Sequence, residues 1–164
     1  MDGFIDYHIK SSEAKDIDPS NDCLSYISDR FELNIEQRYW LAFLFGTCYS
    51  STNVYYIYNE FPDYENVDVN RLQRWWDNNR DKTLFQTDRL RVKTQNKFVE
   101  TFLSYSNLLN GMSQSDFFQS LKQPTKQMTY DNCYKKLSEI KNFGRFTMFI
   151  YLEMINVLTK YELE

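Results

Sequence analysis

The sequence predicts an all-α fold, a single globular domain of about seven helices. Three observations carry this. Only 4 Gly and 3 Pro occur in 164 residues, so the chain has few obligatory breaks and favours long helices over a turn-rich sandwich. No segment alternates convincingly between apolar and polar residues, while several repeat at helical spacing behind a capping residue. Hydrophobic residues make up 42% and aromatics 18%, enough to fill one domain core at this length.

Residues 1–20 read as a flexible acidic N-terminal segment, with "SSEAKDIDPSND" as a polar connector, and residues 21–164 as the helical domain. The first firm helix is "ELNIEQRYWLAFLFG". Asn34 can cap it and Gln37, three residues on, completes a capping-box pattern. Trp40, Leu41, Phe43, Leu44 and Phe45 then crowd its circumference, as expected of a central helix. Ser51 or Thr52 is expected to cap a helix through Tyr58 that Pro62 stops, and Tyr55, Tyr56 and Tyr58 on it are expected to pack with their hydroxyls at the rim. Asp68 is an N-cap for "VNRLQRWWDNNR". "TDRLRVKT" is ambiguous. "QNKFVETFLSYSNLL" places Phe98, Phe102, Tyr105 and Leu109 on one helical face. Ser113 opens the next helix, another is expected from Thr129 to near Gly144, and the last is apolar at Phe146, Phe149, Ile150, Leu152, Ile155, Val157 and Leu158.

Charge is unevenly placed. The net charge is −4, which argues against a nonspecific nucleic-acid binder. Yet residues 71–97 carry eight cations against three carboxylates, and residues 1–36 carry nine carboxylates against three cations. A basic middle in an acidic protein suggests a local anion site, with a solvated face of mixed charge as the alternative. Cys23, Cys48 and Cys133 are odd in number and lack CxxC spacing, the pattern of reduced thiols in a cytosolic protein. The acidic, polar N-terminus predicts no signal peptide, and the longest apolar run, Tyr39 to Gly46, is far short of the ~20 residues of a membrane span. His8 is the single histidine, so Ser-His or Cys-His catalysis and His/Cys zinc sites are disfavoured. Neither GxxxxGK[ST] nor GxGxxG occurs.

Within the basic stretch, "RWWDNNRDKTLFQTDR" sets Trp75 beside Trp76. Neighbours on a helix point about 100° apart, so one can face the core while the other points sideways.

Four pieces in order, "LNIEQRYWLAFLFG" (33–46), "YNEFPDYENVDVNRLQRWWDNNRDK" (58–82), "FQTDR" (85–89) and "FGRFTMFIYLEMI" (143–155), resemble the phage amino acid:DNA transferases of thymidine hypermodification. The resemblance runs from about Asp16 to Leu158. It implies that a separate kinase pyrophosphorylates 5-hydroxymethyluracil in DNA, and that the amine of a free amino acid then displaces pyrophosphate on the exocyclic carbon. Members of that family continue into a further polar, helical portion, whereas this sequence stops soon after the "FGRF" helix. One half of a split enzyme, a trimmed piece and a short relative with another role are the alternatives.

Carried onto this sequence, the resemblance makes Glu60 and Asp63 candidates to take the amine's proton or to hold Mg²⁺ against pyrophosphate. No cofactor beyond Mg²⁺ is implied. Arg74, Arg80, Arg89 and Arg145 are candidates to clamp pyrophosphate, since a planar guanidinium binds phosphate bidentately. Trp75 or Trp76 is a candidate platform for the base, and Gln86 and Thr87 can hydrogen-bond uracil's imide edge. Asp88 can orient Arg89 or act as the base. The expected partners are DNA carrying modified uracil, a free amino acid, and a second protein chain or another copy of this one; no membrane is implied, and the compartment is the cytoplasm of the host cell. Two further readings stand beside this one: a non-catalytic helical module or half-enzyme that binds modified DNA or a partner chain, and a small phage protein that binds a host protein.

Overall fold

The computed structural model describes residues 19–85, 90–94 and 97–163. Residues 1–18 lie outside these, and so do Gln86, Thr87, Asp88 and Arg89. The described residues are all-α, as the sequence predicts. They form nine α-helices and no strand: α1 (Pro19–Arg30), α2 (Ile35–Cys48), α3 (Ser51–Glu60), α4 (Val69–Asn79), α5 (Leu90–Thr94), α6 (Lys97–Leu109), α7 (Gln114–Ser120), α8 (Lys126–Leu137) and α9 (Arg145–Thr159). Two single 3-10 turns, Tyr64–Asn66 and Arg80–Lys82, flank α4.

The central helix is α2. Its capping box forms as expected: Gln37 N–H donates to Asn34 Oδ1 at 3.0 Å, and Asn34 N–H donates to Gln37 Oε1 at 3.1 Å. Every residue from Tyr39 to Cys48 is buried, so the helix has no solvent face and must be surrounded. It packs chiefly against α9, and also against α3 and α7. Gly46 makes the α2–α9 approach: a Cβ there would sit 2.8 Å from Tyr151 Cβ. Phe43 stacks on Tyr105 at 4.2 Å between centroids, and Trp40 Nε1 donates to the Phe61 carbonyl at 2.7 Å, so the buried indole keeps its hydrogen bond. The left-handed Tyr49, φ 48°, ends α2.

Local signals place most boundaries. Asp68 and Ser113 accept from the N–H of Arg71 and Asp116, as N-caps should. Other boundaries move. Ser50, not Ser51 or Thr52, caps α3, with Asn53 N–H donating to its hydroxyl at 3.3 Å. Thr125 caps α8, so Thr129 is interior and buried, and the helix ends at Leu137 rather than near Gly144. The two helices beyond seven are α1 and α5. The first begins at Pro19, whose fixed φ suits an initial helical position, and buries Leu24 and Ser28. The second has five residues, too few to show a period. The last helix departs from the expected apolar face: Phe146 and Phe149 are 48% and 49% exposed, while Thr147, Met148, Ile150 and Tyr151 are buried. Thr147 and Tyr151 occupy the core face that the pattern assigned to the phenylalanines.

Candidate active site

Helices α3 and α4 run antiparallel and set the frame. At one end Arg71 Nη2 pairs with Glu60 Oε1, and the Arg71 guanidinium lies 5.1 Å from the Phe61 ring centroid. In the middle Tyr56 Oη donates to Asn79 Oδ1 at 2.8 Å. At the other end the buried Asn53 clasps both backbone groups of Leu84, donating to its carbonyl at 2.8 Å and accepting from its N–H at 3.1 Å. A ten-residue helix is about 15 Å long, so Glu60 and Leu84 sit a helix length apart.

The acidic end holds Glu60 and Asp63. Glu60 is committed to Arg71. Asp63 Oδ1 accepts from Gln37 Nε2 at 3.0 Å and faces a cleft of about 220 Å³ lined in part by Asn34, Glu36, Tyr64 and Glu65. Burial, then the charge of Asp63, pushes the Tyr58 hydroxyl up to about 12. Glu36 caps α7, accepting from the N–H of Gln114 at 2.8 Å and of Ser115 at 3.0 Å. Among the described residues, no three His, Cys, Asp or Glu side chains gather as a metal-holding group. A larger cavity of about 360 Å³ between α1 and α3 is apolar, lined by Leu24, Ile27, Phe31, Tyr55 and Tyr58 among others, and none of the predicted site residues lines it.

The basic end is built differently. The 3-10 turn carries Arg80, whose carbonyl accepts from the N–H of Thr83 at 3.1 Å and from its hydroxyl. Lys93 Nζ donates to the carbonyls of Asp81 and Thr83 at 3.3 and 3.1 Å, which fixes the chain leading to Phe85. Trp76 is fully buried, stacked on Phe98 at 4.6 Å and edge-on to Phe85 at 6.2 Å. Trp75 points sideways and is half-buried against Tyr56 and Phe61, the arrangement that adjacent helical positions require.

Arg145 opens α9 after Gly144, whose position offers no side-chain cap to the first turn. The preceding turn is tied to α6: Asn142, with φ 65°, donates to Thr101 Oγ1 at 3.1 Å and to Glu100 Oε2 at 3.2 Å, and Lys141 pairs with Glu100 at 3.3 Å. The hydrogen bond from Asn142, then that from Lys141, holds the Glu100 carboxyl below its ordinary range. Tyr49 meets the Phe146 ring edge-on at 5.3 Å, which ties the start of α9 to the α2–α3 turn. Through these links the start of α9, the first turn of α3 and residues 80–85 share one end of the bundle. Gln86, Thr87, Asp88 and Arg89 follow Phe85 directly in sequence, outside the described residues.

The arginines divide by partner. Arg38 pairs with Asp29 and Arg71 with Glu60. Arg30, Arg74, Arg80, Arg91 and Arg145 have no carboxylate partner among the described residues. Arg80 and Arg145 come to the basic end, and Arg74 is exposed on α4. The structure thus brings Arg80, Arg145 and Trp76 toward one end and leaves Glu60 and Asp63 at the other. Sequence reasoning missed Arg71 as the partner of Glu60 and Asn53 as the clasp on Leu84. It also missed that, among the described residues, the buried Ser51 Oγ and Trp76 Nε1 have no hydrogen-bond partner. No local pattern announces any of these, because each depends on which helices meet.

A family model described as amino acid:DNA transferase matches residues 12–164. A serinyltransferase of Salmonella phage ViI is 30% identical over 127 residues, a match that takes in 76% of this chain and 30% of the relative. This chain therefore corresponds to less than a third of that relative's length. No solved structure matches.

Proposed function

The chain belongs to the amino acid:DNA transferase family, and on that premise we propose that it transfers an amino acid, through its amine, onto pyrophosphorylated 5-hydroxymethyluracil in phage DNA. The family match across residues 12–164 carries this reading. The arginines without carboxylate partners support a location for the chemistry. Arg80 and Arg145, with Arg89 nine residues after Arg80 in the sequence, would receive the pyrophosphate and neutralise it as it leaves.

The C–O bond between the exocyclic carbon and pyrophosphate breaks, with electron push from the uracil ring. The amine nitrogen forms the new C–N bond, and its proton passes to a carboxylate. We assign that role to Asp88, the sequence neighbour of Arg89. Glu60 is held by Arg71, and both Glu60 and Asp63 sit a helix length from the arginines. Gln86 and Thr87 would read the imide edge of the base; Trp76 is buried and Trp75 packs on Phe61 at the acidic end, so neither is given the stacking role. No step is assigned to Mg²⁺. Serine is the first amino acid to test, given the name of the phage relative. Among the described residues no helix is long and apolar enough to cross a membrane, and a phage DNA substrate would be met in the host cytoplasm.

Nucleoside mass spectrometry tests the reading. The chain is incubated with pyrophosphorylated hydroxymethyluracil DNA and a mixture of amino acids, and the DNA is digested. An aminated thymidine whose mass equals a serine adduct is the expected product. No adduct from well-folded protein would favour a second reading, a non-catalytic helical module or half-enzyme that binds modified DNA or a partner chain.

A further inference from the structure

We propose that Lys82 and Lys93, fixed around the 3-10 turn Arg80–Lys82, grip the phosphate backbone of duplex DNA beside the modified base and leave Arg80 of the same turn for the pyrophosphate. The proposal rests on the DNA-modifying reading above and adds how the strand is held.

Three cations meet at one turn. Lys93 reaches it from α5, and its Nζ donates to the carbonyls of Asp81 and Thr83 at 3.3 and 3.1 Å. Lys82 Nζ donates to Asn79 Oδ1 at 2.9 Å, an oxygen that also accepts from Tyr56 Oη. Asn79 donates in turn to the Trp75 carbonyl at 2.8 Å, so this anchor is tied to α4. The buried Thr83 and the clasped backbone of Leu84 hold the far side of the turn. Both ammonium groups therefore stand on fixed supports rather than on free stems. Their partners are neutral oxygens. An ammonium has three donors, so Lys93 keeps one for a ligand and Lys82 keeps two.

A solvated face of mixed charge pairs its charges, as Lys136 does with Glu139 and Lys141 with Glu100. This turn does not. Asp81 is exposed within it, yet neither it nor any other carboxylate among the described residues pairs with Arg80, Lys82 or Lys93. Three uncompensated cations in a chain of net charge −4 make a local field that suits an outside anion. The spacing suits DNA. The exocyclic carbon on C5 already stands in the major groove, which is ~12 Å wide, so the leaving pyrophosphate and the strand phosphates that border the groove lie within about that distance. Arg80 and Lys82 are two residues apart, which puts their Cα atoms at most about 7 Å from each other. Lys93 Nζ lies 3.3 Å from the carbonyl oxygen of Asp81, the residue between them. One turn thus offers a guanidinium fork for the pyrophosphate and two point charges for backbone phosphates.

The test is fluorescence anisotropy of a labelled duplex carrying one 5-hydroxymethyluracil, titrated with protein over a range of salt concentrations. Wild-type binding is expected to weaken as salt is raised. Lys82→Ala is expected to weaken it about fivefold at about 0.15 M salt and to lower the salt slope by ~1. Adding Lys93→Gln, which keeps a donor for the two carbonyls but removes the charge, should lower the slope by ~2 in all. The losses should be the same on an unmodified duplex, because phosphates carry no sequence information. Lys135→Ala removes an exposed charge on α8 and should bind within about twofold of wild type, since distant charges are screened. Inorganic pyrophosphate should bind Lys82→Ala as it binds wild type. Circular dichroism confirms that each variant is folded. An unchanged slope in Lys82→Ala, an equal loss in Lys135→Ala, or a matching loss of pyrophosphate binding would overturn the proposal. Salt-insensitive DNA binding by wild type, or none, would overturn it too. Adduct formation by the same wild-type protein in any of these cases would leave the transferase reading standing.

Discussion

Arg145 and Arg71 contrast two uses of the same side chain. Arg71 is engaged by Glu60 at an exposed site, where such a pair is worth about 0–1 kcal/mol. Arg145 is exposed at the start of α9 with no carboxylate partner among the described residues. Arg145→Ala is therefore expected to change stability by no more than about 0.5 kcal/mol while lowering transfer by ~10²-fold or more, as loss of a charge-stabilising group does. Thermal melting beside adduct formation checks both halves, and a large drop in Tm would assign Arg145 to structure instead. Arg71→Ala should leave transfer nearly unchanged. The sequence makes both arginines visible as members of a basic stretch and a helix start. Which of them is free depends on a contact eleven residues away in the chain, and residue types do not reveal it. The tryptophan pair behaves likewise. Adjacency alone predicts one ring inward and one sideways, but only the meeting of α4 with Phe98 and Phe85 selects Trp76 as the buried one. Its truncation to alanine should cost about 3–5 kcal/mol, as for other buried aromatics.

At the scale of elements, two contacts hold the basic end in place. Asn53 satisfies both backbone groups of Leu84 from a buried position. Asn53→Ala would strand them, and a loss of about 1–3 kcal/mol is expected in denaturant unfolding, with a fall in transfer because the chain into Phe85 loses its anchor. Gly46 lets α2 and α9 approach; an alanine Cβ would meet Tyr151 Cβ at 2.8 Å, and Gly46→Ala should destabilise by about 1–3 kcal/mol through overpacking. Calorimetry of the variant checks this, and wild-type stability would show that the helices can slide apart without cost. Capped helices were legible because a cap is a local event: Asn34, Asp68 and Ser113 all serve as their spacing suggests. α1 and α5 were not, since one starts inside a polar segment and the other is shorter than two helical turns. The apolar letters of α9 misled for a different reason. Composition marks Phe146 and Phe149 as core, but the helix turns its Thr147–Tyr151 edge inward, and that rotation is fixed by Gly46 and its neighbours on α2.

At the scale of the whole molecule, the core is joined by a chain of buried hydroxyls. Tyr151 donates to Tyr105 at 3.0 Å, Tyr105 donates to Gln114 Oε1 at 3.0 Å, and the Gln114 amide donates to the Glu36 carbonyl at 2.9 Å. Burial, ahead of every other cause, raises the pKa of Tyr105 and Tyr151 well above the ordinary tyrosine value and carries Tyr39 up to about 12. A group whose folded pKa is raised contributes its full stability below the unfolded pKa, about 10 for tyrosine, and loses it as pH climbs toward the folded value. The fold should therefore be insensitive to these groups up to about pH 10 and lose stability steeply above it. Far-UV circular dichroism against pH would show this, and an unchanged signal and melting temperature through pH 12 would contradict the burial of these tyrosines. The same core sets the helix ends in space and so determines where Arg80 and Arg145 stand, which is the central claim of this account. Calorimetric titration of inorganic pyrophosphate into the folded chain tests that claim most directly. The account predicts binding that weakens about tenfold or more in Arg80→Ala and in Arg145→Ala, while Arg71→Ala, at the acidic end, binds as wild type. Equal affinity in all four proteins, or loss confined to Arg71→Ala, would contradict it.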